Sequence, residues 1–354
     1  MKKQKIGLFL LLAVIIIAGI YVSVNKNKKP EVRINGLLGG EKIGLFENEL
    51  FKKEAKDKFA LTLDYKKAGS YDMVREDSSQ YDYLFPSSQL ALDLFKKNGG
   101  KFKSQDIVFN TPIVLYSRKP VVDVLEKEKI VNKEDDSYYV DMTKLANIIA
   151  EGKTWQELGL SQLYGNVLVD TTDPNKSNSG NMFLGLLANS LNNGALVNKS
   201  NVDNLIPTIK KIYQQIGHMQ SSSADMFSQF LKQGIGAFPI IAGYESQILE
   251  FSKLEPEIYE QIKDDLVILY PSPTVWSSHV YISLTDNGNL GLDMLLDKST
   301  QEIAWKDHGY RTIISGTANL DEFKVAGVPK QISKVAPMPD IDAMLKLMDT
   351  IRED

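Results

Sequence analysis

Residues 164–191, YGNVLVDTTDPNKSNSGNMFLGLLANSL, read as a strand, a polar loop and a helix in succession, and that order decides the fold. Residues 165–170 carry Val167, Leu168 and Val169, a short apolar run suited to a buried strand. Residues 171–180 offer no aliphatic or aromatic side chain apart from Pro174. Phe183, Leu184, Leu186, Leu187 and Leu191 then recur at helical intervals. Ser177, Asn178 and Ser179 therefore stand where a helix N-cap belongs. A helix N-terminus presents unpaired N–H groups and a partial positive charge, so it can hold an anion without a basic side chain. Taken alone, the stretch fits an ordinary capped helix better than a binding site, and the rest of the chain must decide between the two.

A chain of 354 residues can bury a large core, and its length suggests about two domains. Hydrophobic content of 43% and charged content of 24% are ordinary for a globular protein. There is no Cys, which excludes disulfides, thiolate metal sites, a lipid-modified Cys and a Cys nucleophile. Residues 6–24 hold no charged side chain. As a helix they would span roughly 28 Å, about the hydrocarbon thickness of a bilayer. Lys2, Lys3 and Lys5 precede them, and no small-residue cleavage pattern follows, so the segment reads as an uncleaved signal anchor with the bulk of the chain extracytoplasmic. A cleaved secretion signal is the competing reading. Residues 1–30 hold six Lys and no acidic residue, leaving 35 basic against 45 acidic residues in the remainder. That acidic body excludes nucleic-acid binding and would repel anions at long range, so an anion site would rest on local dipoles.

Beyond residue 31, strand and helix patterns alternate. Strands are expected at 32–37, 61–65, 81–85, 111–117, 165–170, 234–242, 265–269 and 280–284. Helices are expected at 46–58, 89–97, 120–128, 142–151, 155–158, 182–191, 205–216, 224–232, 243–251, 290–296, 301–306 and 341–352. The alternation predicts an α/β fold with parallel strands. No phosphate-binding loop, dinucleotide fingerprint or His-Glu-x-x-His motif occurs. The three His, at 218, 279 and 308, are dispersed, and no cofactor or metal site is expected. No catalytic constellation can be assembled, which favours binding over catalysis.

Five strand-to-helix junctions are rich in glycine and hydroxyl residues: Gly39-Gly40, Gly69-Ser70-Tyr71, Ser87-Ser88, the loop from Thr171 to Gly180, and Gly243-Tyr244. Ligands of open α/β sheets bind beyond the carboxyl ends of the strands, so these junctions are expected to face one cleft. Hydroxyls and backbone N–H groups there would hold a polar solute or oxyanion reversibly.

From about residue 31 to 311 the chain resembles type II periplasmic, or extracellular, solute-binding proteins, in the branch of the molybdate-, sulfate- and phosphate-binding proteins. GSYDMVRE (69–76) looks like that family's Gly-Ser loop, and YDYLFPSSQLALDLF (81–95) like its strand followed by a Ser-capped helix. TPIVLYSRKP (111–120) is similar to the strand that crosses between lobes, and DTTDPNKSNSGNMF (170–183) to the Asp-Pro-x-x-Ser-x-Ser-Gly loop. GAFPIIAGYESQ (236–247), VILYPSPTVWSSHVYISLTDN (267–287) and IAWKDHGYR (303–311) resemble the aromatic pocket loop, the return crossing and the late helix with its tail. The resemblance implies a two-lobe type II fold with a cleft between the lobes, which the transmembrane helix read from residues 6–24 would precede. It implies a first lobe at 31–113 with a return from about 271 to 354 and a second lobe at 114–270, after an anchor and linker at 1–30. Carried over residue by residue, it implies pocket positions at Ser70, Ser87 or Ser88, Ser177, Asn178, Ser179, Gly180 and Tyr244. Tyr71, Tyr244 or Trp276 would cover apolar parts of the solute. Residues 36–40 read Gly-Leu-Leu-Gly-Gly where oxyanion binders offer Ser or Thr. Leu37 and Leu38 would thus give the cleft an apolar side and select a larger, partly charged solute.

The expected function is a membrane-anchored extracytoplasmic solute-binding protein that captures a small polar or oxyanion-bearing ligand, for transport, and is not an enzyme. Its partners would be that ligand, a membrane permease or other membrane protein, and the bilayer through residues 6–24. The rival reading keeps the fold but docks a partner membrane protein as a sensor or scaffold. A hydrolase on the same scaffold ranks third.

Overall fold

The computed structural model describes residues 30–312 and 320–352. The chain builds its first lobe from β1 (Val32–Leu38), α1 (Ile43–Glu47), α2 (Glu49–Phe59), β2 (Leu61–Lys67), β3 (Tyr83–Phe85) and α3 (Gln89–Lys97). β2 and β3 flank β1 in parallel, so their carboxyl ends share one edge of the lobe. α2 begins at Asn48, whose side chain accepts from the N–H groups of Leu50 and Phe51. It packs Phe51 and Ala55 against Ile34, Tyr83, Phe85 and Phe109 in one apolar cluster.

β4 (Ser104–Arg118) then crosses the molecule. Its first part, through Pro112, lies antiparallel to β9 (Trp276–Ser283), and from Ile113 onward it pairs with β7 (Ile240–Tyr244) and β8 (Leu266–Ser272). The crossing strand is thus longer than the 111–117 expected. Its first residues, Ser104, Gln105 and Asp106, are partly exposed and polar, which hides a strand from a pattern search.

The second lobe adds, in chain order, α4 (Lys119–Lys127), β5 (Val131–Glu134), β6 (Ser137–Asp141), α5 (Met142–Glu151), α6 (Asn178–Leu191), α7 (Ile206–Ile216) and α8 (Ser223–Lys232). After β7 come α9 (Glu245–Leu254), α10 (Pro256–Ile262) and β8. β6 runs parallel to β8, and β5 is its hairpin partner, with Asp135 at φ +53° in the turn. β9 returns the chain to the first lobe, followed by α11 (Asp286–Leu296), α12 (Lys298–His308), β10 (Arg311–Thr312) and α13 (Ile341–Ile351).

The expectation of parallel strands needs correction: the sheet is mixed, because β4 and β9 cross in opposite directions and pair antiparallel with their neighbours. Residues 165–170 bury Val167 and Val169 as expected but form no strand. Their backbone bonds in two directions, Val167 N–H to the Lys153 carbonyl and Asp170 N–H to the Ile240 carbonyl, so no ladder develops. Residues 155–158 form turns instead of a helix and serve to bury Trp155. The strand expected at 234–242 starts only at Ile240, directly after Pro239, which has no N–H to give a ladder.

The last helix, α13, packs its buried Ala343, Met344, Leu347 and Met348 into a cluster that also holds Leu94 and Phe95 of the first lobe and Phe183 and Ile212 of the second. No helix among the described residues is long and apolar enough to cross a membrane. The span expected over residues 6–24 lies outside the described residues.

Candidate functional site

A cavity of about 410 Å³ opens between the two lobes. Its first-lobe wall is the chain just past β1, Gly39, Gly40 and Glu41, together with Lys66 and Lys67 at the end of β2 and Ala68 to Ser70 beyond it. Its second-lobe wall is Lys176, Ser177 and Asn178 at the start of α6 and Ser221, Ser222 and Ser223 at the start of α8. Both walls are therefore junctions where an element ends or a helix begins, the positions that expose unpaired backbone N–H groups. The lobes nearly touch at one side: a Cβ on Gly69 would come 2.8 Å from the Lys176 carbonyl oxygen.

Beneath the first-lobe wall lies a charged network. Lys42 is fully buried, and its Nζ reaches Glu41 Oε1 at 2.5 Å, Ser87 Oγ at 2.6 Å and His279 Nδ1 at 3.3 Å. The three ammonium protons thus face three acceptors. His279 Nδ1 accepts, so its proton sits on Nε2, which is buried without a partner. Burial depresses the His279 pKa well below the ordinary value, the Lys42 charge adds to this, and the ring stays neutral. Burial also lowers the Lys42 pKa, against the pull of Glu41. For Glu41, burial alone would raise the carboxyl, but the Lys42 charge and the bonds from Lys42 and Ser87 bring it down to about 2. Glu41 Oε1 carries both of these bonds. The Ser87 hydroxyl also donates to Glu41, and the Tyr310 hydroxyl holds the Glu41 carbonyl. Ser87 and Lys42 have the composition of a serine–lysine pair, yet Ser87 is wholly buried and Lys42 is tied to a carboxylate, so no hydroxyl is presented to a substrate.

The second-lobe wall carries no such charge. Asn178 is 6% exposed. Its Nδ2 donates to the Ser87 carbonyl at 2.8 Å and lies 3.1 Å from both the Tyr244 hydroxyl and Ser277 Oγ, which share its second proton. Ser277 Oγ itself donates to the Ser87 carbonyl at 2.7 Å, and the Asn178 bond to the same carbonyl ties α6 to the first lobe. Ser179 Oγ lies 2.8 Å from Thr172 Oγ1 and 3.1 Å from Ser177 Oγ. Ser177 is the N-cap residue of α6 but makes no side-chain cap bond, whereas Asn48, Asp141 and Asp340 cap their helices.

Of the expected site residues, Ser70, Ser177 and Asn178 line the cavity. Ser87 and Tyr244 lie beneath it, bonded to Asn178. Tyr71 is buried with its hydroxyl on Asn181 Oδ1 at 2.9 Å, so Tyr71 and Tyr244 are committed to the interior and do not stack on a solute. Thr171 and Ser179 are fully buried, and Gly180 packs against the Thr172 carbonyl. Ser88 and Trp276 line a separate cavity of about 380 Å³ with Met182 and Val335. The apolar side expected of Leu37 and Leu38 is corrected. Strand alternation sends them to opposite faces of β1, where Leu37 is buried in one apolar cluster and Leu38 in another, and Gly39, Gly40 and Glu41 meet the cleft instead. Sequence reading missed Glu41, Lys42, Lys67 and Ser221 to Ser223. A buried Lys next to a Glu in a GGEKIG run carries no periodic signal. His279 was passed over as a lone His.

No known sequence family and no curated protein matches the chain. Solved structures do. The periplasmic binding protein AfuA from Actinobacillus pleuropneumoniae, with exogenous fructose-6-phosphate bound, is 12% identical over 91% of this chain and 97% of its own, with a TM-score of 0.56. A periplasmic thiamin binding protein is 11% identical over 91% and 96%, with a TM-score of 0.60. The substrate binding protein of an ABC transporter from Agrobacterium tumefaciens is 13% identical over 92% and 96%, with a TM-score of 0.57. The chain therefore has the two-lobe α/β fold of the periplasmic binding proteins.

Proposed function

We propose that this chain is an extracytoplasmic solute-binding protein, anchored by residues 6–24, that captures a small polar or oxyanion-bearing solute between its lobes for delivery to a membrane permease. The observation that carries this reading is the cavity of about 410 Å³, walled by both lobes and lined by helix starts and hydroxyls. Its size lies within the range of small-molecule sites. The structures that share the fold are named for solute binding, and one holds a sugar phosphate. A solute touching both walls would stabilise whichever arrangement of lobes brings them together, since only that arrangement offers both sets of contacts. Ser87, the hydroxyl bonded to the buried Lys42, is itself fully buried, which speaks against a serine–lysine hydrolase.

A ligand specific for the native state raises the melting temperature by mass action. A thermal-shift screen of the full chain against oxyanions, sugars, sugar phosphates, amino acids and polyamines is expected to yield at least one stabilising compound. Gly40→Trp should abolish that shift while leaving the ligand-free melting temperature within a few degrees. A Cβ at Gly40 meets only the flexible end of Lys67 at 2.7 Å, and the indole would occupy the cavity. An undiminished shift in Gly40→Trp would place the ligand elsewhere.

A further inference from the structure

The cavity of about 380 Å³ shares no lining residue with the inter-lobe one. Four separate segments wall it. They are the start of α3 in the first lobe, Met182 of α6 in the second, Trp276 where β9 begins its return, and residues 335–338, a strap that leads into α13. None of its lining residues carries a charge, whereas Glu41, Lys66, Lys67, Asp72, Glu76 and Lys176 border the inter-lobe cavity. Leu90, Met182, Trp276, Val335, Pro337 and Met338 make its surface apolar. These walls are held by the chain itself. Ala336 N–H donates to the Thr274 carbonyl at 2.7 Å, and Thr274 N–H to the Lys334 carbonyl at 3.1 Å. The Asn189 amide of α6 donates to the Pro337 carbonyl at 2.9 Å. Met338 packs on Gly185, where an added Cβ would lie 2.3 Å from Met338 Cε. Trp305 packs edge-on against Phe323, but the half-buried Trp276 has neither a ring contact nor a hydrogen bond to its indole N–H among the described residues. An extended peptide is a poor occupant, because the strap leaves it little free backbone edge. Pro337 and Pro339 have no N–H, and Ala336 N–H and the Lys334 and Pro337 carbonyls are engaged.

We propose that this cavity is a second binding site, for a compact, uncharged aromatic molecule. Its volume lies within the range of small-molecule sites. An indole, a thioether and aliphatic side chains suit a planar ring, which gains burial and sulfur–aromatic contact there. An ionised ligand would give up its hydration with no counterion on the walls. The site goes beyond the solute-binding reading and does not depend on it, since the two cavities have separate linings.

The test is NMR of the full chain labelled at its methionine methyl groups, titrated with indole as the uncharged probe and benzoate as the charged one. Indole should shift the Met182 and Met338 signals saturably and leave that of Met226, buried in another cluster, in place. Benzoate should need about ten times the concentration for the same shift. Trp276→Ala should weaken indole about tenfold, the loss of one aromatic contact. Gly185→Ala changes no lining residue but displaces the Met338 thioether, and should weaken indole about threefold with an unaltered urea midpoint. Gly40→Trp, which fills the inter-lobe cavity, should leave indole binding unchanged. Shifts that fail to saturate, that appear equally at Met226, or that benzoate matches at equal concentration would overturn the proposal. So would wild-type indole affinity in both Trp276→Ala and Gly185→Ala. Loss of indole binding in Gly40→Trp would place the probe in the inter-lobe cavity and overturn it too.

Discussion

The two walls of the cleft solve the same problem with different chemistry. The first lobe places a charge beneath its wall, with Lys42 fully buried and held by Glu41, Ser87 and His279. The second lobe uses neutral groups, the Asn178 amide and the hydroxyls of Thr172, Ser177 and Ser179. A buried ion pair is unforgiving, because removing one partner leaves an uncompensated charge. A neutral network fails by smaller steps, one hydrogen bond at a time. The first-lobe wall therefore hangs on one buried charge pairing, whereas the second-lobe wall is spread over several smaller contacts.

The largest expected effect tests the charged side. Lys42→Met should lower stability by about 3 kcal/mol in urea unfolding, since Glu41 then keeps its charge without a counterion. Adding Glu41→Gln should recover much of that loss, as expected for residues in direct contact. If the single variant unfolds at the wild-type midpoint, the charge is not structural, and the contrast between the walls collapses.

The next effect tests the neutral side. A Cβ at Gly180 would lie 2.0 Å from the Thr172 carbonyl oxygen. Gly180→Ala should therefore cost about 1–3 kcal/mol by forcing α6 away from its loop. Its partner check is Gly99→Ala, where no atom lies within 4 Å of the added Cβ but φ is +78°. A larger loss there than at Gly180 would mean that backbone strain, and not packing of the second-lobe wall, governs these positions.

The smallest effect concerns pH. Asp170 sits at the entry to the second-lobe loop, where burial raises its carboxyl pKa to about 6 from an ordinary 3.8. The folded state then binds this proton more tightly than the unfolded chain does. Its contribution to stability is complete below about pH 4 and is lost as pH rises through about 6. Glu41 runs the other way, contributing above its ordinary range near 4.5 and losing that contribution as pH falls toward 2. Asp170→Asn should flatten the stability profile between pH 4 and 6 and leave the steeper loss below pH 4 unchanged. An unaltered slope between pH 4 and 6 would show that Asp170 is solvated in solution.

Much of the frame was legible. Residues 142–151 match α5, residues 89–97 match α3, and Ser177 stands at the N-cap of α6 as the segment 164–191 suggested. These readings succeed because a helix needs only its own periodicity and a capping residue. The hairpin of β5 and β6 was missed because Val131 and Val140 are its main apolar marks and its outer residues are exposed. At the site, the small-residue junctions at Gly39-Gly40, Gly69-Ser70 and Ser177-Asn178 were visible as composition. Their neighbours Ser87, Ser179 and Tyr244 share that composition yet lie beneath the cavity, and nothing local distinguishes a hydroxyl that faces a cleft from one that holds its floor.

By itself, then, the sequence determined the alternation of elements, the capped start of α6 and the absence of Cys chemistry, all of which depend on neighbours a few residues apart. Tertiary structure alone decided that Glu41 and Lys42 meet Ser87 and His279, residues 45 and 237 positions away from Lys42. It also decided which way the Asn178 amide points. Those outcomes depend on two crossing strands bringing distant segments together, and no local pattern encodes the burial and electrostatics that result.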